Sequence, residues 1–294
     1  MTLYTQQSKN IRKTWLLMSL FFVIVVLIGF IFARIYNNPN ILYFFVFFSI
    51  FMNIISYWYS DKIVLSLAKA HHVTREEFFE LYTIVENLSI TAGLPMPKIY
   101  IIEDGAPNAF ATGRDKKHSV VAVTTGLLSI MNKTELEGVI AHELSHIGNK
   151  DMLVSTVAVV LAGFISIISD MLIRGALFGG RDNDRENSGL FAIIGIILAI
   201  IAPIFAMLIQ LAISRKREYL ADATGVLLTR YPEGLAKALE KLQNYSQPMK
   251  VKSSAIAHLY ISNPLGTGRF AQKTMQLWST HPPLEDRIKI LRSM

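Results

Sequence analysis

The chain has 294 residues, of which 52% are hydrophobic, and its mean hydropathy is +0.38. This is more apolar than a soluble domain of that size usually is, so the composition indicates a membrane protein. The net charge is +7 and the chain has no cysteine, which excludes disulfides, thiol catalysis and zinc sites built from thiolates.

Four apolar stretches are long enough to cross a bilayer, for which about 20 residues are needed. They cover residues 15–33, 41–59, 153–173 and 190–213. The first is longer than the apolar core of a signal peptide and is followed by no small-residue cleavage site, so we expect a retained span. The spans pair into two hairpins. They divide the chain into a first hairpin (1–60), a soluble segment (61–151), a second hairpin (152–213) and a soluble tail (214–294).

Basic residues cluster at one set of span ends. They are Lys9, Arg12, Lys13, Lys62, Lys69, Lys150, Arg215, Lys216 and Arg217. The opposite ends carry few arginines, most of them interleaved with acidic residues. By the positive-inside rule, we expect both termini and both soluble segments in the cytoplasm. The soluble segments contain no basic stripe with aromatic residues, so we expect a lipid bilayer but no nucleic acid among the partners.

The soluble parts combine helix and strand patterns. Apolar residues recur at helical spacing through 75–94. Two β-branched runs, 98–104 and 119–126, are bounded by turn residues and predict strands. In the tail, 231–246 and 283–294 predict amphipathic helices.

A further helix is predicted through 132–151. Thr134 followed three residues later by Glu137 forms a capping-box pattern at its start. An apolar stripe then runs along one face, at Leu136, Val139, Ile140, Leu144 and Ile147. Independent signals therefore place the polar residues between these positions on a helix.

Within this helix, residues 142–146 read HELSH. Four residues make about one helical turn, so His142 and His146 present their imidazoles on one face. Two neutral imidazoles at this spacing can both bind a tetrahedral Zn²⁺, at about 2.0–2.1 Å. Glu143 can take a proton from the water that attacks a carbonyl. The alternative is a buried polar cluster without metal, although chance matches to H-E-x-x-H are uncommon.

A catalytic zinc needs a third protein ligand and an open fourth position. In 213–225, Glu218 and Asp222 lie one helical turn apart; Glu218 could bind the metal, and Asp222 could accept the remote N–H of a ligand histidine. On spacing alone, a solvated face beside Arg215 and Arg217 fits them equally well. The predicted second hairpin favours the metal site, because it returns Glu218 to the side of the bilayer where the motif helix ends. We expect one Zn²⁺ per chain.

Weaker signals concern the substrate. Asn108 and Phe110 could lie at a substrate cleft, where the 119–123 strand would pair with an extended peptide; a turn role for Asn108 fits equally well. His281 could stabilise an oxyanion, although the two prolines after it also suit a first helical turn. Arg215 is a further candidate for substrate or oxyanion binding, but arginines at span ends more often contact lipid headgroups. The other histidines are expected at the ordinary surface: His71, His72, His118 and His258.

Four motifs follow the order found in HtpX-type membrane zinc metalloproteases. They are NAFATG (108–113), HELSH (142–146), SRKREYLAD (214–222) and THPP (280–283). With the four spans, the chain resembles that family over nearly its whole length, and its site is similar to that of the CaaX prenyl proteases. The resemblance implies an α+β, zincin-like metalloprotease domain, assembled from the two soluble segments and fused to four transmembrane helices.

The resemblance also implies roles for single residues. Zinc would bind His142, His146 and Glu218, Glu143 would be the catalytic glutamate, and Asp222 would stand behind a ligand. The implied activity is zinc-dependent hydrolysis of peptide bonds in unfolded, misfolded or membrane proteins. It would take place at the cytoplasmic face of a bacterial inner membrane, in stress-related quality control. The sequence indicates neither particular substrates nor an oligomeric state.

Two other interpretations use the same motif. In an intramembrane protease of the site-2 type, the motif helix would lie in the bilayer, but 135–151 carries too many polar residues for the hydrocarbon core. In a membrane scaffold or transporter, the zinc would be structural and closed by four protein ligands, often cysteines. The chain has no cysteine, and only His281 is a remote candidate for a fourth ligand.

Overall fold

A computed structural model describes five parts of the chain: 3–178, 215–245, 247–250, 256–264 and 282–294. The predicted fourth span (190–213) and His281 lie outside them. The helices and strands are, in chain order, α1 (Leu3–Ile35), α2 (Pro39–Leu67), β1 (His71–His72), α3 (Phe79–Ala92), β2 (Lys98–Ile102), β3 (Ala109–Gly113), β4 (Ser119–Thr124), α4 (Thr125–Ile130), α5 (Lys133–Asn149), α6 (Asp151–Phe178), α7 (Arg215–Thr229), α8 (Pro232–Asn244) and α9 (Leu284–Leu291).

The first two helices form an apolar hairpin. Gln7–Arg34 and Pro39–Leu67 are each long and apolar enough to cross a membrane, as predicted for the first two spans. The turn between them ends at Asn38, whose side chain accepts a hydrogen bond from the backbone N–H of Asn40 at 3.0 Å and caps α2. Large apolar side chains remain exposed along both helices, for example Leu16 on α1 and Phe47 on α2, which suits a surface that faces lipid.

The third predicted span, 153–173, lies within α6, but the start of this helix is packed inside the protein. Val157 and Leu161 are fully buried against α1 and α2. Helix α6 leaves α5 at an angle of 82°. Within the described residues, a third crossing exists only if this bent pair is counted as one span.

Four strands form one sheet in the order β1-β2-β4-β3. Strand β4 pairs in parallel with β2 and antiparallel with β3. It ends at Thr124, two residues earlier than the predicted run, because the Thr124 side chain accepts a hydrogen bond from Leu127 N and starts α4. The prediction that this strand pairs with a substrate peptide is wrong, since both of its hydrogen-bonding edges are already occupied.

The N-cap of helix α5 lies two residues before the predicted one. Asn132 is the N-cap: its side chain accepts from Glu135 N at 3.0 Å, and the Glu135 carboxylate accepts from Asn132 N at 2.8 Å. The capping box predicted for Thr134 and Glu137 is therefore wrong. Asn132 has the extended backbone that an N-cap needs, whereas Thr134 already lies inside the helix and donates to Asn132 at 2.9 Å.

The end of α5 is a sharp turn at Lys150. This residue has φ 57°, the left-handed conformation that ends many helices, and its N–H bonds back to the carbonyls of His146 and Ile147. For a side chain other than glycine, this conformation costs about 1–2 kcal/mol. The turn brings Asp151, the first residue of α6, back beside the last turn of α5.

The core of the domain lies around α5, which contacts the sheet, α3, α7 and α8. The apolar stripe of α5 is fully buried there: Val139, Ile140, Leu144 and Ile147. Each such side chain contributes about 1.5–3 kcal/mol by leaving water. At Gly138, α8 comes so close that a Cβ would lie 2.7 Å from the backbone N of Leu235.

Substituting Gly138 by alanine is expected to lower the free energy of unfolding by about 1–3 kcal/mol, because the new methyl group meets backbone that cannot move aside. Gly148 is the matched control on the same helix. A Cβ there would lie 4.0 Å from the Leu94 side chain, an ordinary contact distance, so Gly148→Ala should raise stability slightly through helix propensity. Denaturant unfolding in detergent micelles measures both; equal stability of Gly138→Ala and wild type would contradict the close packing.

Candidate metal centre

Two helices bring three metal-binding side chains together. His142 and His146 lie on α5, and their Nε2 atoms are 3.2 Å apart. Glu218 lies on α7; its carboxylate oxygens are each 3.6 Å from the Nε2 atom of one histidine. One ligand atom from each residue fits within 4.8 Å of the others. The residues predicted as ligands therefore converge on one point.

The approach of α7 to α5 depends on Gly225. A Cβ at this position would lie 3.1 Å from the backbone N of His142, so the two helices touch with no side chain between them. Glu218 lies seven residues, about two turns, before Gly225 and so on the same face of α7. This places its carboxylate over the histidine pair.

The Asp222 carboxylate contacts His142 on the ring nitrogen that faces away from the other two candidate ligands. The Nδ1 atom of His142 is 2.9 Å from Asp222 Oδ1. Arg287, on α9, binds the same carboxylate through two parallel contacts, from Nη2 at 2.6 Å and from Nε at 2.8 Å. Its side chain is fully buried, with Nη1 3.8 Å from Glu218.

The sequence analysis missed Arg287. A signal was present, because Arg287 shares one helical face with Leu284, Ile288 and Leu291, and a charged residue on an apolar face needs a buried partner. Asp151 was missed as well: its Oδ2 atom is 3.4 Å from Nδ1 of His146. In each imidazole, Nε2 thus faces the point where the three candidate ligands converge, and Nδ1 faces an aspartate.

The buried charges suit a divalent cation. Four carboxylates surround the histidines: Glu143, Asp151, Glu218 and Asp222. Two guanidinium groups, of Arg217 and Arg287, lie among them, and no member of this set is more than 6% exposed. With neutral imidazoles, these described groups leave two negative charges, which are costly to bury unless compensated. Nitrogen and carboxylate donors without thiolates fit Zn²⁺.

The protonation of His142 reflects the same charges. Burial and the Arg287 guanidinium disfavour a charged imidazole, but contacts with Asp222 and Glu218 outweigh them and raise the pKa of His142 to about 9. Burial alone would raise the pKa of Asp222, yet Arg287 and His142 hold this pKa at about 2. In the metal-free protein, His142 therefore carries a proton at neutral pH, and a metal ion must displace it.

A small cleft opens beside the histidines. Its volume is about 40 Å³, and Glu143 lines it together with His146 and Glu218. Ala111 of β3 and His258 also line it. The prediction that His258 is an ordinary surface residue is therefore wrong. Its distance from the motif in the chain concealed this position.

Asn108 and Phe110 do not line this cleft; they hold the segment that carries His258. The Asn108 side chain donates to the carbonyl of Ser262 at 2.9 Å and accepts from its N–H at 3.2 Å. Phe110 is fully buried and meets the ring of Tyr260 edge-on at 5.0 Å. These contacts hold 256–264 along the outer side of β3, which puts His258 next to the metal site.

The remaining predicted residues have different positions. Arg215 is exposed on the first turn of α7. Arg217 is buried and lies 3.1 Å from Asp151, so the expectation that it contacts lipid headgroups is wrong. His281 lies outside the described residues.

Comparisons with known proteins agree with this geometry. The model of peptidase family M48 matches residues 75–294. A protease HtpX homolog of Thermoanaerobacter pseudethanolicus is 46% identical over 299 residues, which covers all of this chain and 98% of that protein. A protease HtpX homolog of Syntrophobacter fumaroxidans is 51% identical over 246 residues, covering 83% of this chain and 86% of the other.

Among solved structures, a crystal structure of S. mikatae Ste24p has a similar fold. The TM-score is 0.51 at 20% sequence identity, over 98% of this chain and 67% of that one. Together with two helices that can cross a membrane and a His-His-Glu group that can hold a metal ion, these matches agree on one class of protein. The chain belongs to peptidase family M48 and is a membrane-associated zinc metalloprotease.

Proposed function

We propose that Zn²⁺ binds to His142 and His146 through their Nε2 atoms and to the Glu218 carboxylate, and that this centre hydrolyses peptide bonds. The observation that carries the proposal is the convergence of these three donors within 4.8 Å, with an aspartate behind each imidazole. A metal ion at this point would give all three groups a common partner. One zinc ion per chain satisfies them.

Glu143 is the general base in this proposal. It follows His142 on α5, and its carboxylate lies in the cleft beside His146. Zinc held there supplies Lewis acidity, which lowers the pKa of water and polarises a carbonyl. Glu143 accepts the proton of the attacking water and passes it to the amine that leaves.

Asp222 and Arg287 position His142. Asp222 accepts a hydrogen bond from Nδ1–H of His142, which leaves the Nε2 lone pair to the metal. The two contacts from Arg287 keep the Asp222 carboxylate ionised and in one orientation. Removing Arg287 would bury the Asp222 charge without its cation.

We infer that the substrates are unfolded or membrane proteins. The relatives are named as proteases, and Ala111 of β3 lines the cleft, close in the chain to Asn108 and Phe110. For the oxyanion, His281 and Arg215 remain the candidates. His258 joins them because it lines the cleft.

We also propose an α+β, zincin-like domain with four spans, divided at 1–60, 61–151, 152–213 and 214–294. The ligands come from α5 and α7, which lie on either side of the predicted second hairpin. A shared ion requires both helices on one side of the bilayer, and therefore an even number of crossings between them. The basic span ends support the cytoplasmic side of a bacterial inner membrane.

The Glu143→Gln substitution should lower the rate of cleavage of an unfolded reporter protein by about 10²–10⁴-fold, because the amide cannot accept the proton. Zinc content should stay at one ion per chain. Both quantities are measured on the same full-length protein in detergent. Glu218→Ala is the companion variant, for which zinc content itself should fall. Cleavage by Glu143→Gln at the wild-type rate would exclude Glu143 as the base.

Arg287→Met should lower the free energy of unfolding of the metal-free protein by about 3–5 kcal/mol, because it breaks the buried ion pair of Arg287 with Asp222. Arg292→Met is the matched control on the same stretch of chain. Arg292 is about half exposed and pairs with Glu233 and Glu240 at the surface, so its loss should change stability little. Denaturant unfolding with zinc removed compares the two variants. Equal losses of stability would contradict a special contribution of the buried Arg287–Asp222 pair.

The orientation of the protein in the membrane can be determined with single-cysteine variants, since the chain has no cysteine of its own. Asn40→Cys, exposed in the first turn of α2, should react with a membrane-impermeant maleimide in intact bacterial cells with a permeabilised outer membrane. Thr91→Cys, exposed at the end of α3, should react only after the inner membrane is opened. The reverse pattern would place the domain outside the cytoplasm.

A further inference from the structure

A buried polar cluster lies where α1, α6 and α7 meet, next to the metal centre. It consists of Asn10, Asp151 and Arg217, which are 2%, 5% and 6% exposed. Asn10 Nδ2 donates to Asp151 Oδ1 at 2.6 Å, and Arg217 Nη1 donates to the same oxygen at 3.1 Å. Arg217 also reaches the side-chain oxygen of Asn10 at 3.4 Å.

The two oxygens of Asp151 have different partners. Oδ1 receives both donors of the cluster, whereas Oδ2 lies 3.4 Å from Nδ1 of His146. The cluster therefore fixes the rotation of the carboxylate, and the carboxylate fixes the ring of His146. A first-turn aspartate also stabilises the start of α6 through the helix dipole, but that role needs no contact with an imidazole.

Helix α1 makes further contacts with the end of α5. The last four carbonyls of a helix have no partner within it. Asn10 Nδ2 donates to the carbonyl of Asn149 at 3.0 Å, and Gln7 Nε2 donates to that of Gly148 at 2.8 Å. Two amide side chains of α1 thus satisfy the end of the helix that carries the histidines, but only Asn10 also touches Asp151.

We propose that Asp151 is a positioning residue for His146, and that Asn10 on the first membrane helix, with Arg217, holds it in place. The inference rests on the metal centre proposed above and extends it to a residue more than 130 positions away in the chain. The cytoplasmic end of α1 is then part of the metal site, although it supplies no ligand.

The test measures zinc affinity of the full-length protein in detergent, by competition with a chromophoric chelator. Asn10→Ala should weaken zinc binding by about tenfold, the low end of the loss seen when the partner of a metal-ligating histidine is disturbed. Asn10→Ser, whose hydroxyl is too short to reach Asp151, should do the same. Gln7→Ala should change the affinity less than twofold, because it removes a contact between the same two helices without touching Asp151.

A second readout separates positioning from general stability. The visible absorption spectrum of the Co²⁺-substituted protein reports the ligand geometry, and it should change in both Asn10 variants but not in Gln7→Ala. Wild-type zinc affinity and cobalt spectrum in Asn10→Ala and Asn10→Ser would overturn the inference, and so would equal losses in Gln7→Ala. Wild type and His146→Ala are measured alongside: if they bind zinc equally, the proposed metal centre itself fails, which is a distinct result.

Discussion

Compensation of buried negative charge is the constraint on which this metal centre depends. Each ligand histidine is backed by an aspartate, and each aspartate is paired with an arginine: Asp222 with Arg287, and Asp151 with Arg217. Without the aspartates the imidazoles could turn. Without the arginines, two further anions would be buried at a cost of several kcal/mol each. The arginines therefore belong to the site as much as the ligands do.

This constraint explains why distant elements pack around α5. Helix α5 carries both histidines. Helix α7 therefore has to pack against α5 so that Glu218 and Asp222 reach them, and α9 has to pack where Arg287 reaches Asp222. Glycines allow the close approaches: Gly225 lets α7 touch α5, and Gly138 lets α8 do so. The two soluble segments thereby form one hydrophobic core, although a long apolar stretch separates them in the chain.

The parts that sequence could predict are local. Helix α5, its motif and the first two spans follow from periodicity and spacing over a few residues. The arginine–aspartate pairs could not be predicted in this way, because their partners lie 65 and 66 residues apart. The α5 cap was misplaced because Asn132–Glu135 and Thr134–Glu137 present the same pattern two residues apart. The pairing of β4 was missed because a strand's composition does not reveal its neighbours in a sheet.

The contacts of α1 with the end of α5 bear on where the enzyme begins. A boundary at residue 60, which the hydrophobic pattern suggests, would cut through folded protein. The carbonyls of Gly148 and Asn149 would lose their donors, and Asp151 would lose Asn10 while keeping Arg217 and His146. Anchor and enzyme are thus not interchangeable modules. A foreign helix in place of α1 would keep these contacts if it carried amide side chains at the positions of Gln7 and Asn10.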